Sequence, residues 1–392
     1  MQLTENDADS LPLAGYRVIE RSSHAAAAYA GRLLATLGAT VILVEPKGGS
    51  PLRKAPPWLD DQKEQSALFA YLSVGKRSLV CDLDCPEGQQ LLKDQLESAD
   101  IFIDDTPVAE RAGLGLSHEN IAASYPSLVH VSLLPFGASG PKAEWDSEEV
   151  NLIHAAGEGF LLPNGFAQEL FPDRAPLKIY GHFAEYQGGV YAACAALSAL
   201  WAVADCGGQY VDVSSQEATL LCGSYAMQRL GDGSLEHRAT RKFRYGGVFE
   251  TKNGYIELLT LEDRQWQGLV QLMGDPEWAH EDWLKDPLER SRRGDEINHH
   301  IREWMALHNV EEIVERSQDL GVPTAKYRTP EDVIAGEQEA YRGLFNSAAL
   351  ADVGEADMLL APFQFLFSPL RFAGGVPPLD EYSGNQSKPE AC

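Results

Sequence analysis

Short apolar segments alternate with helix-forming segments through the first half of the chain. Segments of strand length that are rich in Val, Ile and Leu lie at 16–21, 40–46, 77–83, 100–104, 127–134 and 208–214. Helix-forming segments lie at 24–38, from Pro86 onward, at 117–124 and at 215–230. Because parallel strands need a crossover connection, usually a helix, the alternation predicts a doubly wound, Rossmann-like α/β domain.

The pattern changes after residue 140. The segment 148–160 and the Ala-rich segment from about Ala184 are predicted to be helical. The basic segment 229–244 is predicted to lead into a small α+β domain with a strand pair and three helices, and the tail is expected to return to the large domain. The predicted divisions are 1–228 for the N-terminal part of the large domain, 229–334 for the small domain and 335–392 for the return.

The uncharged stretch from Tyr186 to Ala204 has nearly the length of a membrane span. It is rich in Ala, Gly and Ser rather than in Leu and Ile, so its insertion into a bilayer would be weakly favoured. A buried helix of the large domain is therefore the better interpretation.

Charge and cysteine usage restrict the class of protein. The 392 residues include 32 Lys and Arg against 58 Asp and Glu, a formal charge of −26, which argues against nucleic-acid and membrane partners. The six cysteines form no CxxC pair, and the first residues lack the features of a secretory signal, so reduced thiols, no metal site and a cytoplasmic location are expected. Neither G-x-G-x-x-G nor a P-loop follows the first strand, which argues against a nicotinamide or ATP site.

Six segments in order along the chain carry a resemblance to one family. They are LAGYRVIE (13–20), YAGRLLATLGATVILVEPKGG (29–49), GKRSLVCDLDCPEG (75–88), AERAGLG (109–115), APLKIYGHFAEYQGG (175–189) and GGQYVDVSSQEA (207–218). Together they resemble the family III CoA-transferases, a group that includes formyl-CoA:oxalate and carnitine CoA-transferases and the α-methylacyl-CoA racemases.

The resemblance implies an interlocked dimer in which both chain termini build the large domain. It also implies transfer of CoA from an acyl-CoA thioester to a carboxylic acid, with CoA as a substrate and with no metal or organic cofactor. In the family an enzyme carboxylate attacks the thioester and forms a mixed anhydride. Such covalent catalysis divides one difficult exchange into easier steps.

The nucleophile position departs from the family pattern. The family has an Asp at the start of the helix that follows residue 182, whereas this chain has Glu185. Glutamate carries the same carboxylate on a longer stem, and a helix N-terminus favours its charge. Two hypotheses follow: Glu185 is a working nucleophile, or the chain is one subunit of a heterodimer whose Asp-containing paralog supplies the nucleophile.

The resemblance also implies a set of CoA-binding positions. They are Ala25, Ala26, Lys47, Lys76, Arg77, Asp105, Thr106 and Arg111. Arginine suits bidentate contact with phosphate, which favours Arg111. Asp84 and Asp105 place acidic groups where the family has Lys and Asn, and they should weaken the attraction for CoA.

Three histidines, His24, His154 and His182, lie in segments that form the site in the family, and any of them could orient a substrate carboxylate. The racemase branch exchanges an α-proton with a His–Asp pair. The corresponding segment here is Glu144-Trp145-Asp146, without the histidine. An acyl-CoA racemase or isomerase is therefore the alternative activity, and a non-catalytic acyl-CoA-binding homologue is the alternative outside catalysis.

Overall fold

The computed structural model describes residues 11–162, 171–223, 231, 233, 245–350 and 354–382. The chain divides into two compact units. The large unit comprises Met1–Gly157, Ile179–Ala226 and Glu337–Cys392, and the small unit comprises Glu158–Lys178 and Met227–Gly336. The predicted boundary at 228/229 and most of the predicted linker 229–244 lie outside the described residues. The assignment of 158–178 to the small unit was not expected from the sequence.

A six-stranded parallel sheet forms the centre of the large unit, with strand order β3-β2-β1-β4-β5-β6. The strands are β1 Arg17–Arg21, β2 Thr40–Glu45, β3 Arg77–Val80, β4 Ile101–Asp104, β5 Val129–Leu134 and β6 Tyr210–Ser214. The central strands are buried almost throughout, because helices cover both faces of such a sheet. This order reverses direction between β1 and β4, and ligands bind at such a switch point in doubly wound folds.

Eight α-helices and the short 3-10 helix Pro51–Lys54 accompany the sheet in the described part of the large unit before residue 226. The α-helices are α1 Ala25–Thr36, α2 Ala67–Ser73, α3 Pro86–Leu96, α4 Val108–Leu114, α5 His118–Ser124, α6 Glu149–Ala155, α7 Phe183–Cys206 and α8 Ser215–Cys222. Helix α6 is shorter than the predicted 148–160, because Gly157 adopts a positive φ of 90° that ends the helical path. The last predicted residues of α8 lie outside the described range.

The Ala-rich helix α7 packs on α1 and on the sheet. Apart from Glu185, its buried residues are all Ala or Gly. A Cβ added at Gly189 would lie 2.7 Å from the Ala26 carbonyl oxygen and 3.1 Å from the Tyr29 Cβ. The other face is exposed, with Trp201 at 90% exposure, so the buried-helix prediction holds for one face only. Among the described helices, α7 alone has the length and apolar composition of a membrane span.

The small unit contains a three-stranded antiparallel sheet and helices packed on it. The strands are β7 Gly247–Glu250, β8 Tyr255–Leu258 and β9 Thr324–Lys326. The α-helices are α9 Asp263–Leu272, α10 Pro287–Arg292, α11 Gly294–Met305, α12 Val310–Asp319 and α13 Pro330–Ile334. The described chain thus has four helices between β8 and β9, one more than expected, since Pro287 begins the short α10.

The tail, from Glu337 onward, belongs to the large unit. Helix α14 (Glu337–Tyr341) precedes an antiparallel hairpin of β10 (Phe345–Leu350) and β11 (Gly354–Leu359). Hairpin residues Ala348, Leu350 and Met358 pack with Ala70 and Val74 of the α2 region.

Four cysteines in the described part of the chain have free thiols: Cys81, Cys194, Cys206 and Cys222.

We expect Gly189→Ala to destabilise the large unit by roughly 1–3 kcal/mol, because the methyl group would overlap the backbone of α1. Gly113→Ala is the matched control. Gly113 lies in α4 with no atom within 4 Å of an added Cβ, so alanine should stabilise by about 0.5–1 kcal/mol there. Guanidinium unfolding measures both changes, and equal effects of the two substitutions would contradict the close approach of α7 to α1.

Candidate functional site

The turn between β1 and α1 is held by the side chain of Asp105, which follows β4. The buried Asp105 carboxylate accepts hydrogen bonds from the backbone N–H groups of Ser23 (2.7 Å) and His24 (2.8 Å), and from the Ser23 hydroxyl (3.1 Å). Because the N-terminus of a helix has unsatisfied N–H groups and a positive partial charge, the carboxylate stabilises the start of α1. Asp105 is thus a structural anchor of the turn.

His24 lies at the N-cap of α1, between carboxylates. Its Nδ1 is 3.0 Å from the Ser23 hydroxyl and 3.4 Å from the Asp105 carboxylate, and its Nε2 is 3.8 Å from the Asp146 carboxylate. The hydrogen bond with Asp105 outweighs the effect of burial, and with the charges of Asp105, Glu185 and Asp146 it raises the pKa of His24 to about 9. His24 therefore carries a positive charge at neutral pH.

Glu185 lies in the first turn of α7, where the helix N-terminus favours a negative charge. Its side chain is largely buried, and one carboxylate oxygen is 2.5 Å from Nδ1 of His182, the N-cap residue. The imidazole of His182 therefore fixes the carboxylate in place. Tyr186, the next residue, stacks on Tyr29 of α1 at 4.3 Å between ring centroids and holds this turn against α1.

Glu149 is a site residue that the sequence analysis missed. It begins α6, and its two carboxylate oxygens each accept a hydrogen bond of 3.0 Å, from the backbone N–H groups of Ala184 and Glu185. It thus fixes the start of the helix that carries Glu185. The acidic pair Glu148-Glu149 at the start of a predicted helix was visible in the sequence, but its contact with α7 is a tertiary one.

Glu185 and His24 line the same small pocket. Ser147 and Ser215 also line this pocket, and its remaining lining is apolar: Ala26, Leu133, Leu134, Pro135 and Leu152. Among the described residues that line it, His24 is the only basic one. The small pocket therefore combines a carboxylate, a cation and mostly apolar walls.

Several residues predicted to bind CoA come together at the carboxyl ends of β1 and β4. Ala25 and Ala26 form the first turn of α1 beside Asp105, and Thr106 follows Asp105. The Arg111 side chain is buried, and it donates to the Thr106 carbonyl oxygen (2.8 Å) and the Ser132 hydroxyl (2.7 Å). The buried Arg111 side chain thus stabilises the turn through its hydrogen bond to the Thr106 carbonyl oxygen.

A buried charge network lies beneath this turn. Asp104 lies within 3.8 Å of the Arg111 Nε, 3.6 Å of the His130 Nε2 and 3.9 Å of an Arg21 nitrogen. Burial acts to raise the pKa of Asp104, but His130, Arg111 and Thr106 outweigh it and lower the pKa. The carboxylate therefore stays ionised and fixes the end of β4.

The other predicted positions lie elsewhere. Lys76 is buried and forms an ion pair of 2.7 Å with Glu20, and it also donates to the Ala28 carbonyl oxygen at 2.8 Å. The prediction of a phosphate contact for Lys76 is corrected, because its ammonium is enclosed in the protein. Arg77 is exposed at the amino end of β3, the edge of the sheet opposite the pocket, and this placement corrects its assignment too.

Lys47 and His154 are both exposed. Lys47 lies in the turn after β2, at the carboxyl edge of the sheet, so it remains a candidate for phosphate contact. His154 lies in the last turn of α6 and does not line the pocket. Within the described ranges, no three or more His, Cys, Asp and Glu side chains are grouped so as to hold a metal ion.

A family model for CoA-transferase family III matches residues 13–383. The chain belongs to this family. A CAIB/BAIF family protein from Brucella suis has a solved structure that superposes with a TM-score of 0.82 at 26% identity, covering 95% of this chain and 98% of that one. The resemblance noted in the sequence is thus confirmed.

Three relatives are similar to this chain in sequence. A succinate–glutarate CoA-transferase of Agrobacterium fabrum is 27% identical, with 95% of this chain and 94% of that protein covered. A subunit of the succinyl-CoA:(R)-benzylsuccinate CoA-transferase of Thauera aromatica is 29% identical, with 86% and 84% covered. A probable CoA-transferase of Mycobacterium tuberculosis is 30% identical over 81% of this chain, which spans 40% of that protein's length.

Replacing Glu149 with Ala removes the acceptor of two N–H groups at the start of α7. We expect the free energy of unfolding to fall by about 0.5–2 kcal/mol and the amides of Ala184 and Glu185 to exchange hydrogen faster. Glu149→Gln keeps one acceptor oxygen, so its free energy of unfolding should fall by less. Unchanged amide exchange in Glu149→Ala would contradict the capping role.

The charge on His24 predicts a pH-dependent part of the stability. Folding raises the pKa of His24 from 6.5 to about 9, so its interactions stabilise the protein fully below pH 6.5 and are lost as the pH rises through about 9. We expect the difference in unfolding free energy between the wild type and His24→Gln to shrink over this interval. A difference that stays constant with pH would show that His24 is not held as a cation.

Proposed function

We propose that the chain transfers CoA between an acyl-CoA and a carboxylic acid through the Glu185 carboxylate. The observation that carries this proposal is the placement of Glu185 in a pocket, in the first turn of α7, with His182 at 2.5 Å. The position matches that of the family's nucleophilic Asp. Capping by Glu149 and the contact with His182 hold the longer side chain of glutamate in one orientation.

In the first half of the proposed reaction, a Glu185 oxygen attacks the thioester carbonyl carbon of the donor. The carbon–sulfur bond breaks, CoA leaves as a thiolate, and a mixed anhydride joins the acyl group to Glu185. The thiolate then attacks the Glu185 carbonyl carbon of the anhydride. The donor acid leaves as a carboxylate, and CoA remains on Glu185 as a thioester.

The second half reverses these steps with the acceptor acid. Its carboxylate attacks the Glu185 thioester, which frees the CoA thiolate and forms a second anhydride. The thiolate attacks the acceptor's carbonyl carbon, which gives the new acyl-CoA and restores the Glu185 carboxylate. The sequence needs no redox step, and we propose that it needs no metal or organic cofactor.

For CoA we propose the turn at the N-terminus of α1, where Ala26 lines the pocket together with Glu185. Ala25 and Thr106 are buried behind this turn and support it. Lys47 lies at the same edge of the sheet and can contact a phosphate. The names of two relatives include succinate or succinyl-CoA. Succinyl-CoA is therefore the donor to test first.

We propose that the chain works as a dimer in the cytoplasm. The exposed side chains of Val190, Tyr191 and Trp201 on α7 supply apolar surface that a second chain would bury. One relative is named as a subunit, which supports assembly with a second, different chain. We propose that such a partner is a paralog that carries Asp at the position of Glu185.

A second candidate is an acyl-CoA racemase or isomerase, and one observation favours it. His24 and Glu185 line the same pocket, so a basic and an acidic group could both face the α-carbon of an acyl-CoA. Exchange of the α-proton for deuterium in heavy water, without transfer of CoA to an added acid, would indicate this activity.

We expect hydroxylamine to convert Glu185 into a hydroxamate when the full chain is incubated with succinyl-CoA. Peptide mass spectrometry locates the adduct, and Glu185→Gln should lose both the adduct and the transfer activity. Glu185→Asp is the matched variant: it should lose about 10²-fold in kcat if the pocket is fitted to glutamate, because a 1 Å misplacement costs that much. Full transfer activity in Glu185→Gln would disprove the nucleophile, and an adduct on the Asp of an added paralog would assign it to the partner.

A further inference from the structure

His24 is a cation that the proposed transfer steps do not use. It lines the pocket together with Glu185, and its side chain is 42% exposed, so a small molecule can reach it. The proposed function requires a substrate carboxylate to approach Glu185, and repulsion between two carboxylates opposes that approach. A cation in the same pocket offsets this repulsion.

The surroundings of the imidazole leave one nitrogen available to a ligand. The Ser23 hydroxyl and the Asp105 carboxylate occupy the Nδ1 side, and the backbone bonds to Asp105 fix the residue at the start of α1. The charged side chains around His24 are Asp105 after β4, Asp146 from the segment before α6, and Glu185 from α7. These anions keep the imidazole protonated, so Nε2 is a hydrogen-bond donor.

A carboxylate of the protein already lies on the Nε2 side. Asp146 Oδ1 is 3.8 Å from Nε2, and its side chain is 92% exposed, so little holds it there apart from the N–H of Ser147 at 2.8 Å. This separation is longer than a hydrogen bond. A substrate carboxylate entering the pocket can therefore approach Nε2 more closely than Asp146 does.

We propose that His24 binds the carboxylate of the acid substrate through Nε2–H in the pocket beside Glu185, and that Asp105 is the positioning residue that orients the imidazole. The inference rests on the proposed function for the identity of the ligand as an acid. It assigns to His24 the selection of the acid and leaves covalent chemistry to Glu185.

The test is calorimetric binding of succinate to the full chain, with the neutral succinamide as the control ligand. We expect His24→Gln to weaken succinate binding at least tenfold. Because this variant also loses the stabilising charge on His24, binding is measured at a temperature at which both proteins are fully folded. Asp146→Asn removes a competing anion but keeps the oxygen that accepts from Ser147, so it should tighten binding. Tighter succinate binding by Asp146→Asn could not be explained by misfolding, because a misfolded protein would bind succinate more weakly.

The pH dependence of succinate affinity distinguishes a direct role of His24 in binding from a purely structural one. Succinate affinity of the wild type should fall as the pH rises through the pKa of His24, and that of His24→Gln should not. Asp105→Asn should move the fall to lower pH, because it removes the charge that does most to hold the proton. A carboxylate site elsewhere would leave the profile of Asp105→Asn unmoved.

Equal succinate affinity in the wild type and His24→Gln, or no binding to the wild type, would overturn this inference. The proposed function can fail separately. If succinate binding depends on His24 but no Glu185 hydroxamate forms, the transfer chemistry is refuted and the acid-binding role of His24 stands. If the hydroxamate forms but succinate binding does not depend on His24, the transfer chemistry stands and the role of His24 is refuted.

Discussion

The site depends on the close approach of α7 to α1 at Gly189. An added Cβ there would lie 2.7 Å from the Ala26 carbonyl oxygen, so glycine is required for the two backbones to meet. This contact, with the stacked rings of Tyr29 and Tyr186, sets the first turn of α7 beside the turn that precedes α1. The carboxylate of Glu185 consequently shares a pocket with a residue more than 150 positions away in the chain.

Helix N-termini and carboxylates organise the chemistry of that pocket. Asp105 stabilises the start of α1 and Glu149 the start of α7, so each helix begins at a fixed acidic group. A third carboxylate, Glu185, lies in the first turn of α7 and needs a counter-charge nearby. The imidazole of His24 supplies it, and the imidazole of His182 contacts the Glu185 carboxylate directly. The raised pKa of His24 shows how strongly these anions act on one cation.

An acidic residue near the site does not necessarily repel a negatively charged ligand, and Asp105 is an example. In the sequence, Asp105 suggested a loss of attraction for CoA, because it replaces an uncharged residue of the family pattern. In the structure its carboxylate accepts hydrogen bonds from two backbone N–H groups and contacts the imidazole of His24. Much of its charge is therefore balanced within the fold, and the electrostatic cost to an approaching phosphate is smaller than the sequence alone indicated.

The sequence by itself determined the parallel sheet, most of its helices, the family and the position of Glu185, because strand and helix periodicity and short motifs are local properties of the chain. Only the tertiary structure decided which charges meet. Lys76 and Arg111 are both candidate phosphate ligands in the sequence, yet each is buried with partners from distant segments. Glu149 and His24 acquire their roles in the same way, since hydrogen bonds and ion pairs between elements depend on distances that no local pattern encodes.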